Sequence, residues 1–459
     1  GHNRNLGWAF TVNHADLADV YVLTINPDDP YQYWYDDEWH TLEARDVPIT
    51  VHLAGRLLIT VSQEVLWSEY GPVVRQDHGT YALRYAGQGR VDIFQQLYEM
   101  NLAEDFETWQ AAIYSGALPT FNVGYADRAG NVYYLYNADL PLRAEGYDWS
   151  LYLPGESSAL RWTEYLPAAE LPQVLNPPSG FIQNANSTPF QTTTGPGNPD
   201  AADFAPSLGI DIYPTNRSLR LLELLGSDES ITFEEFMAYK FDGSYDAASD
   251  VAQLVGLILS VEAGNPLVEQ GQEIVRAWDW GTGAAHRGTA LPLLTLYFLS
   301  DVMPDLEASS LAHHVFDPAQ VAVAFAEAVA YLDEHFDRLD PEWGEVQRLQ
   351  RGDLDLPMGG GPDVLHAAYA TRQEDGRLRA YVGDSYVMLV AWGPDGAVQS
   401  YSIHQYGSAT LDADSRHYND QSPLFVNEEL KPVWFDEDAI LANLEREYRP
   451  GEEVAGAGD

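Results

Sequence analysis

The order of secondary-structure signals along the chain predicts an α+β fold. The first two hundred residues contain β-branched and aromatic runs that end in Gly, Pro, Asn and Asp, a pattern typical of strands and turns. The middle has apolar residues at helical spacing, and strand patterns return from about residue 367. We predict a β-rich part over 1–210, a mainly helical part over 211–350, and C-terminal strands and a helix over 351–459 that rejoin the first part in one domain.

The β-rich part contains a predicted hairpin, because apolar runs flank a turn that holds Gly130 and Asn131. Its other predicted elements are a strand over 19–25, two strands around Ala54 and Gly55, a helical stretch over 93–113, and loops over 172–209 that enclose a short strand at 180–183.

The helical part has two clear signals. Thr232 and Glu235 have the spacing of a capping box, in which each side chain satisfies a free backbone N–H at a helix start. A second helix is expected to begin near Pro318, because apolar residues then recur every three or four positions and form one stripe: Val321, Phe325, Val329, Leu332 and Phe336. Beyond it we predict strands over 379–382, 386–392 and 398–403, and a helix over 436–447.

Composition excludes several classes of function. The chain has 24 Lys and Arg against 70 Asp and Glu, a net charge of −46, so binding to nucleic acid is not expected. It contains no Cys, which rules out disulfides and thiolate chemistry. No apolar run approaches the roughly 18 residues of a membrane span, so none is expected. Only two of the basic residues are Lys. The excess of Asp and Glu predicts an acidic surface, which suits high salt because salt screens the repulsion between like charges.

Two kinds of site follow from the residues alone. Asp16 and Asp19 could bind Ca²⁺ together with the carbonyl of Ala18, although loop Asp residues more commonly cap backbone N–H groups. The 28 Tyr, 12 Trp and many carboxylates also allow an aromatic cleft of the glycosidase type, which needs two carboxylates across it.

Eight stretches in order resemble the penicillin acylase family of N-terminal-nucleophile hydrolases, in particular its acyl-homoserine-lactone and aculeacin acylase branch. They span nearly the whole chain: 1–12, 25–33, 68–73, 121–127 with Gly130 and Asn131, 179–186, 383–386, 406–408 leading to 417–421, and 431–436. The resemblance implies a four-layer αββα sandwich with a helical middle insertion. It also implies an amidohydrolase that removes the acyl chain from an acyl-homoserine lactone, an acyl-peptide antibiotic or a β-lactam amide.

The resemblance also implies roles for individual residues. The nucleophile of such enzymes is a Ser at a processed N-terminus, with its own α-amino group as the base. The negative charge that develops on the carbonyl oxygen would be stabilised by the backbone N–H of Val12 and the side-chain amide of Asn186. Arg217 corresponds to an Arg that orients the surroundings of the nucleophile, with Arg220 as a rival. Asp16, Ala18 and Asp19 align with a structural calcium site, and no organic cofactor is expected.

Residue 1 departs from the family pattern. It is Gly, in a segment that resembles one some tens of residues after the nucleophile, so the sequence is interpreted as a large-chain fragment, incomplete at its N-terminus and inactive alone. The expected partners are a small acylated amide and a small chain from the same precursor, in a periplasmic or secreted heterodimer. Two alternatives stay open: a non-catalytic binding module of the same fold and the aromatic-cleft glycosidase.

Overall fold

The computed structural model describes residues 1–53, 57–303, 314–449 and 452. The chain forms two compact units. The first comprises Gly1, Trp8–Ala126 and Asn131–Ile212, and the second comprises His2–Gly7, Asp127–Gly130 and Tyr213–Asp459. The three-part division expected from the sequence stays a prediction.

The first unit is built mainly from strands. Its elements are β1 (Leu6–Thr11), β2 (Ala18–Val22), β3 (Ile25–Asn26), β4 (Asp29–Tyr35), β5 (Glu38–Thr41), β6 (Glu43–Leu53), β7 (Leu57–Trp67), β8 (Pro72–Gln76), β9 (Gly79–Tyr85), α1 (Ile93–Leu102), α2 (Phe106–Ile113), β10 (Thr120–Asp127), β11 (Val132–Ala138), β12 (Leu153–Pro154) and β13 (Gln173–Leu175). They form sheets with the strand orders β1-β10-β11-β13, β12-β2-β9-β8-β7-β6 and β3-β4-β5.

The predicted hairpin is confirmed, since β10 and β11 pair antiparallel from Thr120 opposite Ala138 to Ala126 opposite Val132. Gly130 has φ 91° in the turn, which explains a Gly there. Tyr133, Tyr134 and Leu135 of β11 are fully buried. This hairpin is the rigid support on which the candidate site described below depends.

The helical stretch predicted over 93–113 is confirmed and consists of two helices, because Asp105 caps the second by accepting a hydrogen bond from the N–H of Thr108 at 2.9 Å. One expectation for the first unit is wrong, since the strand predicted at 180–183 is not formed. Gln183 bonds to a neighbouring loop instead, with its N–H on the Thr192 carbonyl at 2.8 Å and its side-chain amide on the Gln191 carbonyl at 2.7 Å. Ala54 and Gly55 lie outside the described residues.

The second unit holds the helices and the C-terminal strands. Its elements are α3 (Asn216–Ser227), α4 (Phe233–Lys240), α5 (Asp250–Ser260), α6 (Pro266–Ala277), α7 (Ala290–Val302), α8 (Pro318–Phe336), α9 (Trp343–Val346), β14 (Gln347–Arg351), β15 (Leu354–Pro357), β16 (Ala368–Arg372), β17 (Leu378–Gly383), β18 (Tyr386–Trp392), β19 (Val398–His404), α10 (Ser422–Val426), β20 (Lys431–Pro432) and α11 (Glu437–Ala442). Its sheets have the orders β15-β14-β17-β16 and β18-β19-β20.

Both helix starts predicted for the helical middle of the chain are confirmed. Thr232 and Glu235 form the reciprocal capping box of α4, and α8 begins at Pro318 and buries Val321, Phe325 and Leu332. α7 is apolar on all sides and packs between α8 and other helices, as expected of a core helix. The C-terminal helix, predicted over 436–447, is shorter and spans Glu437–Ala442. No described helix is both long and apolar enough to cross a membrane.

Candidate active site

Two predicted site residues, Asn186 and Val12, lie side by side in the first unit. β1 ends at Thr11, so the peptide of Val12 is the first beyond the strand. Asn186 lies in the long loop after β13, and its side-chain N–H donates to the carbonyl oxygen of Val12 at 2.8 Å. A contact between residues 174 positions apart places a neutral amide donor beside a strand-end peptide.

The loop around Asn186 is held in a defined shape. Asn186 has φ 57°, in the left-handed region that Asn tolerates better than most residues. The side-chain oxygen of Asn184 accepts from the N–H of Asn186 at 3.0 Å and from the hydroxyl of Thr11, while its amide donates to the carbonyl of Ser187 at 3.1 Å. These bonds fix the loop against the end of β1, so the Asn186 amide is oriented before any ligand binds.

A second amide contacts the same peptide from the supporting hairpin. Asn122 of β10 donates to the carbonyl of Val12 at 3.2 Å, and the hydroxyl of the buried Tyr134 donates to the Asn122 side-chain oxygen at 2.6 Å. Burial raises the pKa of Tyr134 well above its usual value, so this hydroxyl keeps its proton. The Val12 carbonyl is therefore an acceptor for two amides, which hold the plane of the Val12–Asn13 peptide.

Sequence reasoning did not assign Asn122, Asn184 or Tyr134 to the site. Asn122 stands in the 121–127 stretch that supported the family resemblance, but strand alternation cannot tell which polar side chain reaches another strand's end. Asn184 is two residues before Asn186, so an Asx-type loop bond was the available signal.

Two aromatic residues, Phe10 of β1 and Phe121 of β10, lie close in the sequence to Val12 and Asn122. Phe10 stands two positions before Val12 and therefore on the same face of the extended chain, while Phe121 immediately precedes Asn122 and points to the other face of β10. The two Phe rings stack with centroids 5.4 Å apart, and Trp8 lies against Phe10 at 4.9 Å. The arrangement provides an apolar surface close in the chain to the amide donors.

Arg217 lies in the second unit, in the first turn of α3. Its Nε donates to Oδ1 of Asp363 at 3.0 Å, and the N–H of Asn216 donates to Oδ2 of the same carboxylate at 2.9 Å. Asp363 is fully buried, so the pair stabilises the start of α3. The rival Arg220 pairs with Asp242 at 2.9 Å. The catalytic role expected for Arg217 stays a prediction.

The residues of the expected calcium site surround an arginine. Nε of Arg143 lies 3.1 Å from Oδ2 of Asp19, and its Nη2 lies 3.1 Å from Oδ1 of Asp16. Ala18 begins β2 and is paired opposite Tyr85. Among the described residues, no group of three or more His, Asp or Glu has the geometry to bind a metal. With Arg143 in place, the oxygens of Asp16, Ala18 and Asp19 do not form a donor set that fits Ca²⁺. The binding of calcium by the protein stays a prediction.

The family comparison covers almost the whole chain. The profile of the penicillin amidase family matches residues 1–442. An acyl-homoserine lactone acylase PvdQ of Pseudomonas fluorescens (strain Pf0-1) is 24% identical over 504 residues, which cover 96% of this chain and 62% of that protein. Penicillin G acylase of Escherichia coli is 29% identical over 194 residues, 41% of this chain and 22% of that one. The chain thus spans a little over three fifths of the length of the first relative.

A solved structure confirms the fold class. A thermostable penicillin G acylase from Alcaligenes faecalis aligns with a TM-score of 0.67, covering 98% of this chain and 88% of that chain at 17% identity. The α+β fold of an N-terminal-nucleophile hydrolase, predicted from the sequence, is therefore the fold of this chain.

Proposed function

The chain belongs to the penicillin amidase family, and from that membership we propose that it is part of an amidohydrolase that removes the acyl chain from an N-acylated substrate. The observation that carries the proposal is the Asn186 amide held against the Val12 peptide at 2.8 Å. Acyl-homoserine lactones are the substrate class proposed first, because the relative that matches across most of the chain is a named acyl-homoserine lactone acylase. Acyl-peptide antibiotics and β-lactam amides are the other classes.

In the proposed reaction, a Ser at a processed N-terminus attacks the amide carbonyl of the substrate. We assign this Ser to a part of the protein outside these 459 residues, since the chain spans 62% of the length of its first relative, and its α-amino group would accept the proton. Negative charge then develops on the carbonyl oxygen, where the Val12 N–H and the Asn186 side-chain N–H donate to it. Neutral amides suit this role because they donate without titrating, and losing one such donor typically costs about 2.7–4 kcal/mol of transition-state stabilisation.

The residue that carries this N–H is held on its C-terminal side. The Val12 carbonyl accepts from Asn122 and Asn186 at 3.2 and 2.8 Å, which fixes the Val12–Asn13 peptide, next to the Thr11–Val12 peptide that carries the donor N–H. Holding the neighbouring peptide beforehand limits the reorganisation needed during the reaction. Arg217 is proposed as a positioning residue for the nucleophile. Because it also pairs with the buried Asp363, a test has to distinguish a loss of catalysis from a loss of stability.

An apolar acyl chain fits the surroundings. Phe10 of β1 and Phe121 of β10 stack on each other in the two strands that lead to the site, and burying an acyl chain against such rings yields roughly 0.8 kcal/mol for each methylene. The net charge of −46 disfavours anionic substrates and leaves neutral acylated lactones acceptable.

A companion chain is proposed as the protein partner. Helix α1 exposes an apolar stripe at helical spacing, with Phe94 81% exposed and Tyr98 and Leu102 each 60% exposed. The relatives are longer than this chain, which spans 62% of the first of them. We therefore propose that this stripe binds a small chain from the same precursor. The protein is proposed to be periplasmic or secreted.

The partner proposal is tested with Phe94→Arg in the full-length gene product. We expect the companion chain to be lost from the affinity-purified protein, whereas Leu411→Arg, at a fully exposed loop position, should leave it bound. Equal recovery of the companion with both variants would overturn this assignment.

The activity itself is tested on the full-length gene product. Incubation with medium- and long-chain acyl-homoserine lactones, with mass-spectrometric detection of free homoserine lactone, is expected to show release of the fatty acid. The 459-residue chain alone should release none. Binding of the lactone by the processed full-length protein without any hydrolysis would instead favour the non-catalytic binding module.

A further inference from the structure

The guanidinium of Arg143 occupies the space between two carboxylates of the first unit. The side chains of Arg143 and Asp19 are both fully buried, while that of Asp16 is 37% exposed. Asp19 Oδ2 also accepts from the indole N–H of Trp162 at 2.6 Å. The Arg143 side chain is therefore part of the interior of the unit, where removing one member of an ion pair costs far more than at the surface.

Arg143 uses its donors on four oxygens. Besides the two carboxylates, its Nη2 donates to the carbonyl of Asp16 at 3.0 Å and its Nη1 to the carbonyl of Ser207 at 2.9 Å. The carbon at the centre of the guanidinium also lies 5.5 Å from the ring of Trp149, in cation–π range. One side chain therefore joins the start of β2 to two loops that are distant in the sequence.

This oxygen set is the kind that a hard cation would use. Calcium takes six to eight oxygens at about 2.3–2.6 Å, and Asp carboxylates and backbone carbonyls are typical ligands. Here the oxygens lie 2.9–3.1 Å from guanidinium nitrogens, which is hydrogen-bond distance. The remaining Asp19 oxygen, Oδ1, is buried without a hydrogen-bond partner among the described residues, but one oxygen does not complete a calcium shell.

We propose that Arg143 is the resident cation of this acidic pocket and that the fold at Asp16 and Asp19 is independent of divalent metal. The planar guanidinium supplies the positive charge that neutralises both carboxylates, and its fork of donors satisfies carbonyls that a metal would otherwise bind. Any Ca²⁺ entering the pocket would have to displace a fully buried Arg side chain. The inference concerns stability and goes beyond the proposed hydrolase activity.

The first test compares the full-length protein after EDTA treatment with the same protein in millimolar CaCl₂, at equal ionic strength set with NaCl. Metal analysis is expected to show far less than one calcium per chain, and the two melting temperatures are expected to agree. A stoichiometric calcium together with a higher melting temperature in CaCl₂ would overturn the proposal.

The second test removes the cation. Arg143→Ala leaves two carboxylates uncompensated, so its melting temperature should fall well below that of the wild type and should rise again when CaCl₂ is added. The matched control is Arg161→Ala, which breaks a partly exposed pair with Glu69 and should show only a small loss and no calcium response. If Arg143→Ala is not recovered folded, Arg143→Lys is measured in its place, since a point charge cannot reproduce the fork and should also give a less stable, calcium-responsive protein. A variant as stable as the wild type and equally indifferent to calcium would contradict the inference.

Discussion

Asn186 donates its side-chain amide to the carbonyl of Val12 across 174 residues of chain, at 2.8 Å. The contact joins the loop that holds Asn186 to the first residue after β1. Asn186 has φ 57°, a backbone conformation that Asn tolerates. Because Asn122 donates to the same carbonyl from β10, the strand next to β1 in its sheet, this carbonyl is held by two separate elements, a strand and a loop. This is the geometry on which the proposed oxyanion-binding role depends.

Removing the second amide should lower both stability and activity. Asn122→Ala leaves the hydroxyl of Tyr134 buried without its acceptor, and an unsatisfied buried donor costs about 1–3 kcal/mol. We expect that loss in urea unfolding, together with a reduced kcat. Asn122→Ala in a Tyr134→Phe background should restore part of the stability, because the orphaned hydroxyl is gone; a double variant no more stable than Asn122→Ala would contradict this explanation.

Arg217 should prove important for folding whatever its part in catalysis. Arg217→Ala strands the fully buried Asp363 carboxylate, and breaking a buried pair in this way costs about 3–5 kcal/mol. Arg276→Ala, in an exposed pair on α6, is the control and should cost less than about 1 kcal/mol. Equal unfolding free energies for the two variants would contradict the structural role. A fall in kcat with no loss of stability would instead favour the positioning role alone.

The stability of the protein should decrease as the pH rises through the titration of Asp139. Burial raises the pKa of this carboxyl to about 6 from an ordinary value of 3.8, so the folded state binds more protons than the unfolded state between these values. The charged form is therefore destabilising above about pH 6. Asp139→Asn should raise the free energy of unfolding at about pH 8 by about 1 kcal/mol, after allowance for partial exposure and solvent screening.

The control for Asp139→Asn is Asp148→Asn, since Asp148 lies on the surface and caps a turn by accepting from Ser150. This control should not stabilise the protein at any pH. A wild-type stability that rises steadily from pH 4 to pH 8 while Asp139→Asn changes nothing would contradict the prediction.

Salt should stabilise the protein strongly. A net charge of −46 repels itself, and the screening length falls from about 10 Å at 0.1 M salt to about 3 Å at 1 M. We expect the melting temperature to increase with NaCl up to at least about 1 M, measured by circular dichroism. A maximum at low ionic strength would contradict the interpretation of the acidic surface as an adaptation to high salt.

Local patterns were sufficient for the elements whose cause is local. The α8 stripe, the Thr232 capping box and the hairpin through Gly130 each depend on residues within a few positions, and each is confirmed. The helical stretch over 93–113 was also predicted, but not its division at Asp105, because competing caps are hard to rank from sequence.

The parts of the site that the sequence missed depend on distant contacts. Arg143 is 124 residues from Asp19 and Asn122 is 110 residues from Val12, so no periodicity or spacing connects them. The pairing of Asn186 with Val12 was expected only from the family resemblance. Composition or spacing would have left Asn186 as an ordinary loop amide.

The most direct test of the central claim is the kcat/KM of Asn186→Gly for acyl-homoserine lactone hydrolysis by the full-length protein. Glycine accepts the positive φ at this position, so the change removes the amide with little backbone strain. The control is Asn198→Ala, a structural amide of the same loop that accepts from the N–H of Thr192 at 2.8 Å. The proposal predicts a fall of about 10²–10³ for Asn186→Gly in a protein that stays folded with a slightly lower melting temperature, and none for the folded control. An Asn186→Gly enzyme within a few-fold of the wild type would contradict the proposed role of Asn186.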